Sequence, residues 1–229
     1  VTARYNDTFI KVFEEERELT MMLIIDISGS NFFGSNSAFK NEYVTELAAT
    51  LAFSATKNND KVGLILFSNN VELYIPPKKG KSHVLRIIRE LLEFKSKSKK
   101  TDINAPLKFV SNILKNRSIA FIISDFISQD YSNSLKIFSS RHDVTGIRIY
   151  DKTEEIIPNL GVIDINDNET GKRTTVNTSS KKIRRKYNEY YNSKRREFVD
   201  YFKRSGSGII ECNTNDDYQK KLLKYFKSR

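Results

Sequence analysis

Asp26, Ser28 and Ser30 stand two residues apart at the end of Met21-Met22-Leu23-Ile24-Ile25-Asp26-Ile27-Ser28-Gly29-Ser30, where an apolar run stops in one carboxylate and two hydroxyls. Farther on, Thr101 closes a lysine- and serine-rich stretch, and Asp125 follows a second apolar run, Ser118 to Ser124. All five side chains offer hard oxygen and none offers nitrogen or sulfur. Such donors suit Mg2+, with Mn2+ or Ca2+ as alternatives, and disfavour zinc and copper. Two carboxylates are lean for a closed calcium cage. They fit Mg2+, which keeps some of its water and leaves a position for an incoming ligand. A plainer reading has Asp26 and the serines capping a turn, and Thr101-Asp102 capping the next helix.

The elements that would carry these residues alternate in type. Thr20 to Ile25, Val62 to Phe67, Ser118 to Ser124, Val144 to Tyr150 and Gly208 to Cys212 read as strands. Their apolar runs without strict alternation are expected of a sheet covered on both faces. Val71 to Ile75 returns after Ser68-Asn69-Asn70 as an antiparallel partner, and Pro76-Pro77 is expected to stop it. Helices are expected over Ala38 to Lys57 with Ser37 as N-cap, Ser82 to Phe94, a short segment with Pro106 in its first turn, Ser132 to Ser140, Lys181 to Lys203 and Asp216 to Lys227. Their inward faces are read as Phe39, Tyr43, Val44, Leu47, Ala48, Leu51, Ala52 and Ala55; as Val84, Ile88, Leu91 and Leu92; and as Tyr218, Leu222, Leu223 and Phe226. On Lys181 to Lys203 they are Ile183, Tyr187, Tyr190 or Tyr191, Phe198 and Tyr201 or Phe202.

Strand–helix alternation calls for crossover connections and a mostly parallel central sheet with helices on both faces, a three-layer α/β fold of Rossmann-type topology. Ligands of such sheets lie beyond the carboxyl ends of the strands, where strand order reverses, and Asp26 and Asp125 both stand at such ends. The chain reads as one domain, 1–229. Residues 1–20 form an edge-strand lead-in, and 160–205 supply a hairpin and a basic helix inserted before the last strand. The hairpin loop Asp167-Asn168-Glu169 lacks the length and spacing of an EF-hand and reads as a polar turn.

The charge is uneven. The net charge of +11 comes from residues 78–100 and 181–204, each carrying +7, with the rest of the chain slightly acidic. These segments are either solvated helix faces or surfaces for nucleic acid, a membrane surface or an acidic protein. In 181–204 the aromatics fall at helical spacing, which favours packing on the sheet over stacking with bases. A single cysteine, Cys212, forbids an intramolecular disulfide, and its apolar setting reads as a buried thiol. His83 and His142 are too few for a zinc site of the His/Cys kind. No G-x-S-x-G elbow supports Ser28 or Ser30 as a nucleophile, so hydrolysis is not expected.

The order Asp26-x-Ser28-x-Ser30, then Thr101, then Asp125 resembles the metal-ion-dependent adhesion site of the von Willebrand factor A fold. More of the chain resembles domain-of-unknown-function family 58: Phe-Glu-Glu-Glu-Arg-Glu-Leu-Thr (13–20), Gly-Leu-Ile-Leu-Phe-Ser (63–68), Ile-Pro-Pro-Lys-Lys-Gly (75–80), Ser-Asp-Phe (124–126), Arg-His-Asp-Val (141–144) and Asp-Asn-Glu-Thr-Gly (167–171). The resemblance implies that 1–4 match an internal family segment, so the family's upstream portion precedes Val1. It further implies a bacterial, non-enzymatic binding or assembly role beside a MoxR-type AAA ATPase. Asn31-Phe32-Phe33 departs from the adhesion pattern by setting bulky apolar groups beside the site, as a gate or as packing.

The expected function is a divalent-metal-dependent protein-interaction module whose metal accepts an Asp or Glu carboxylate of a partner. The alternative is a nucleic-acid- or acidic-surface-binding protein that uses 78–100 and 181–204. A cytoplasmic location is expected, with membrane association through upstream segments left open.

Overall fold

The structure, a computed structural model, describes residues 18–28, 37–151, 156–166 and 173–228. The expected lead-in strand before Glu18, Ser30 with Asn31-Phe32-Phe33, and the hairpin loop 167–172 lie outside the described residues.

The apolar runs become strands β1 (Thr20–Asp26), β2 (Lys61–Phe67), β4 (Ile119–Ser124), β5 (Asp143–Tyr150) and β8 (Gly208–Asn213), with β3 (Val71–Lys78) at the edge. The six form one sheet in the order β3-β2-β1-β4-β5-β8, parallel except for β3. A separate antiparallel pair, β6 (Val162–Asn166) and β7 (Arg173–Asn177), matches the expected hairpin. The helices are α1 (Ser37–Lys57), α2 (Lys81–Glu93), α3 (Asn104–Ile113), α4 (Ser132–Ser139), α5 (Lys181–Arg204) and α6 (Tyr218–Lys227).

Successive residues of a strand point to opposite faces, and the core divides accordingly. Leu23, Ile25, Leu64 and Ile123 pack against Leu47 and Leu51 of α1, Ile87 of α2 and Leu222 of α6. Met22, Ile24, Ile65 and Ile122 pack against Leu107 of α3, Leu135 of α4, and Phe198 and Phe202 of α5. This is the expected three-layer α/β arrangement. α5 lies so close that a Cβ on Gly146 of β5 would come within 2.5 Å of the Phe202 ring.

Two expectations need correction. Pro76-Pro77 does not end β3, which runs on to Lys78. β3 is an edge strand, and its register shifts between Val62 and Leu64, opposite the prolines. A bulge at an edge is where a residue without an N–H disturbs no ladder. Gly63, at that shift, lies where a Cβ would meet Pro77 at 3.0 Å. Helical spacing also assigned too many residues inward. Leu92 (63% exposed), Leu223 (59%) and Phe226 (48%) lie largely in solvent, while Ile87 takes an inner position on α2.

Candidate metal centre

Strand order decides where the oxygens meet. From β1 the chain crosses to β2 and β3 on one side, then returns to place β4 on the other side of β1. The order therefore reverses between β1 and β4, and the cleft beyond their carboxyl ends is the site such sheets offer to ligands. Asp26 ends β1, Ser124 ends β4, and Asp125 follows it.

Asp26 (2% exposed), Asp125 (3%) and Ser28 (0%) are buried there. The Ser28 N–H donates to Asp26 Oδ1 at 2.9 Å, and the Ser124 hydroxyl donates to Asp26 Oδ2 at 2.6 Å. Thr101 arrives on the link between α2 and α3, which crosses over the carboxyl edge from one helical layer to the other, and its hydroxyl donates to Ser28 Oγ at 2.7 Å. The neighbouring residues divide the work. Asp102 Oδ1 accepts the Asn104 N–H at 2.9 Å and so caps the approach to α3, which leaves the Thr101 hydroxyl to the cleft. The Asp102 N–H in turn donates to the Ser68 carbonyl at 2.9 Å, tying the link to the end of β2.

Asp125 is aimed by a turn that sequence reading missed. Its Oδ1 accepts the Ile127 N–H at 2.9 Å, and the Phe126 N–H donates to Ser124 Oγ at 3.0 Å. Phe126 sits at φ 60, a backbone region that bulky residues rarely enter. Its ring offsets this by stacking on Phe198 at 4.3 Å between centroids and meeting Phe202 edge-on at 5.3 Å. The basic helix α5 therefore holds the loop that presents Asp125. Lys194 of α5 adds a bond to the Ser128 carbonyl at 3.2 Å.

Glu72 of β3 is a second missed residue. It accepts the Ser68 hydroxyl, the Ser96 hydroxyl at 3.1 Å and the Lys97 N–H at 2.8 Å, clamping the basic link to the β2–β3 turn. Partial burial pushes its carboxyl up, but these bonds outweigh that and hold it below the usual carboxylate range. Ser124 was legible only as the end of a strand, and Glu72 only as a polar residue on one.

The electrostatics fit a cation. Burial pushes the Asp26 carboxyl up to about 7, and the nearby Asp125 carboxylate pushes the same way, against the bonds from Ser124 and Ser28. Two carboxylates sharing a buried cleft are unfavourable until a positive charge joins them, and a dication reverses the sign of the field each feels. The Ser28–Thr101 oxygen separation of 2.7 Å is close to the roughly 2.9 Å between adjacent oxygens around an ion with bonds of about 2.0–2.1 Å. Among the described residues no three His, Cys, Asp or Glu side chains gather, so a cation here would be held by two carboxylates and hydroxyls. His83 instead meets the Val62 carbonyl at 2.9 Å. His142 lies just before β5, at the opposite end of the sheet from Asp125.

The family described as protein of unknown function DUF58 matches residues 1–197. The chain belongs to that family. An uncharacterised protein of Mycobacterium tuberculosis is 24% identical over 174 residues, which span 75% of this chain and 55% of that protein. One of Mycobacterium avium is 26% identical over 116 residues, covering 50% of this chain and 68% of that protein. This DUF58 chain thus spans about half the length of its tuberculosis relative. Among solved structures, BatB from Bacteroides thetaiotaomicron superposes with a TM-score of 0.59 at 14% identity, covering 92% of this chain and 98% of that one. An aerotolerance-related membrane protein from Bacteroides fragilis gives 0.57 at 16% identity, with 92% and 100% covered. At these identities the shared property is the fold. Among the described residues, no helix is long and apolar enough to cross a membrane.

Proposed function

We propose that this DUF58 chain is a non-enzymatic protein-docking module whose partner binds through a divalent cation. Asp26, Ser28, Ser30, Thr101 and Asp125 are the residues that would hold it, with Mg2+ the preferred ion and Mn2+ or Ca2+ the alternatives. The bound ion would supply a positive charge with an open position for an Asp or Glu carboxylate of the partner. The observation that carries this reading is the buried Asp26 carboxylate facing Asp125, beside the Ser28–Thr101 hydroxyl pair at 2.7 Å. The resemblance to the adhesion-site pattern supports it, and the resemblance to family 58 implies a MoxR-type AAA ATPase as the partner class, with the protein acting in assembly.

The test is a calorimetric titration of Mg2+ into the wild type and into Asp26→Ala. The wild type is expected to bind and the variant to lose binding while its circular dichroism spectrum is kept. Unchanged Mg2+ binding in Asp26→Ala rules the site out. A pull-down with the ATPase is expected to fail in EDTA. A nucleic-acid reading receives less support, because the helices of the two basic segments, α2 and α5, pack on opposite faces of the sheet.

A further inference from the structure

The link between α2 and α3 does more than deliver Thr101. Its sequence Lys95-Ser96-Lys97-Ser98-Lys99-Lys100 separates by direction: Ser96 and Ser98 are half-buried, and the four lysines are exposed. The serines and Glu72 hold the backbone. Ser96 Oγ donates to the Ser98 carbonyl at 2.6 Å, the Lys97 N–H donates to Glu72 at 2.8 Å, and the Lys100 N–H donates to Ser98 Oγ at 3.3 Å. The backbone that carries the four lysines is thus pinned.

These lysines differ from the paired cations of the surface. Lys61, Lys79, Arg185, Lys194, Arg195, Lys220 and Lys221 each meet a carboxylate. Lys95, Lys97, Lys99 and Lys100 meet none among the described residues. Glu72, the nearest carboxylate of the clamp, is occupied by hydroxyls and a backbone N–H. Across the cleft, Lys194 is neutralised by Glu197 at 2.8 Å. The four unpaired lysines of this segment lie along the link that ends at Thr101.

We propose that this lysine rim is a docking surface for an acidic polypeptide tract, in which one carboxylate occupies the cation site and its neighbours in the tract lie along Lys95 to Lys100. The proposal rests on the cation-site reading above and adds the class of partner. Single exposed ion pairs contribute little, so the rim acts on a ligand that meets several lysines together, and it also steers that ligand's approach. A single-stranded nucleic acid would need aromatic faces on which to stack. The one aromatic of this link, Phe94, is partly buried against the core instead.

The test uses a fluorescent octaglutamate peptide, a peptide of the same length with one glutamate among serines, and an octathymidylate. The wild type is compared with the triple variant Lys97→Gln/Lys99→Gln/Lys100→Gln in Mg2+. The variant is expected to lose about tenfold in octaglutamate affinity and to show a flatter salt dependence. Its affinity for the single-glutamate peptide and for Mg2+ alone should stay within about twofold of wild type. Octaglutamate binding that the triple variant keeps overturns the rim, as does tighter binding of octathymidylate than of octaglutamate by the wild type. Octaglutamate binding that persists in EDTA yet falls in the triple variant overturns the cation reading and leaves the rim standing.

Discussion

The two ends of the central sheet are built in opposite ways. At the carboxyl end, polar groups are buried: Asp26, Ser28, Ser124 and Asp125 lie under the α2–α3 link and the turn at Phe126. At the amino end, apolar groups are exposed. Leu19, Leu223 and Phe226 border a groove of about 650 Å3 between α1 and α6, floored by Met21, Leu51 and Phe121. Burying two carboxylates together opposes folding, and leaving leucines in water forgoes stabilisation. The first arrangement persists where a chain must present charge in a low-dielectric cleft, so the carboxyl end is where stability and function should pull apart. The groove at the amino end should respond to substitution by packing rules alone.

The largest contrast is expected from two core truncations. Phe198→Ala removes the ring under Phe126 and should cost about 3–5 kcal/mol in chemical denaturation. It should also weaken Mg2+ binding, because the turn that presents Asp125 loses its support. Leu222→Ala, under the groove, should cost about 2–5 kcal/mol and leave Mg2+ affinity unchanged. Equal losses of affinity in the two variants would erase the distinction between the ends.

Next in size is Asp26→Asn. Without metal it relieves the buried like-charge pair and should raise stability by about 1–2 kcal/mol, while Mg2+ binding is lost. A variant less stable than wild type in EDTA would show that the carboxylate is not under electrostatic stress. Nothing comparable is expected at the amino end.

A smaller effect involves pH. Burial first, and then Arg141, hold the His142 imidazole below its ordinary value, and among the described residues neither ring nitrogen has a hydrogen-bond partner. The unfolded chain therefore takes up a proton at this residue before the folded one does. Its contribution to stability is complete above about pH 6.5. It falls as the pH drops through that value and levels off below the depressed folded value. Stability measured between neutral and mildly acidic pH should fall less in His142→Leu than in the wild type. The smallest effect is expected from Leu223→Ser on the exposed wall of the groove, within about 0.5 kcal/mol of wild type.

The legibility of the chain follows the same physics. Fully apolar strands such as Leu64 to Phe67 are visible because burial on both faces leaves no other composition open to them. Asp26-x-Ser28 was visible because three oxygen-bearing residues, Ser30 included, follow an apolar run at fixed spacing. Glu72 and Ser124 were hidden, since the partners that tie them to the link and to the site, Ser96 and Asp26, lie 24 and 98 residues away in the chain. Leu92, Leu223 and Phe226 were misread because helical spacing marks an apolar face without saying how wide a strip of it the sheet can cover.

By itself, then, the sequence determined the alternation of strands and helices, the oxygen chemistry of Asp26, Ser28, Thr101 and Asp125, and the two basic segments. These are local properties of composition and spacing. Only the tertiary structure decided that β4 lies beside β1, because strand order comes from long-range packing that no local window contains. That adjacency brings Ser124 to Asp26. With the crossing of the α2–α3 link it also sets Thr101 at 2.7 Å from Ser28. It separates α2 from α5 across the sheet, leaving one basic segment to frame the cleft with its lysines and the other to hold Asp125 from beneath with Phe198.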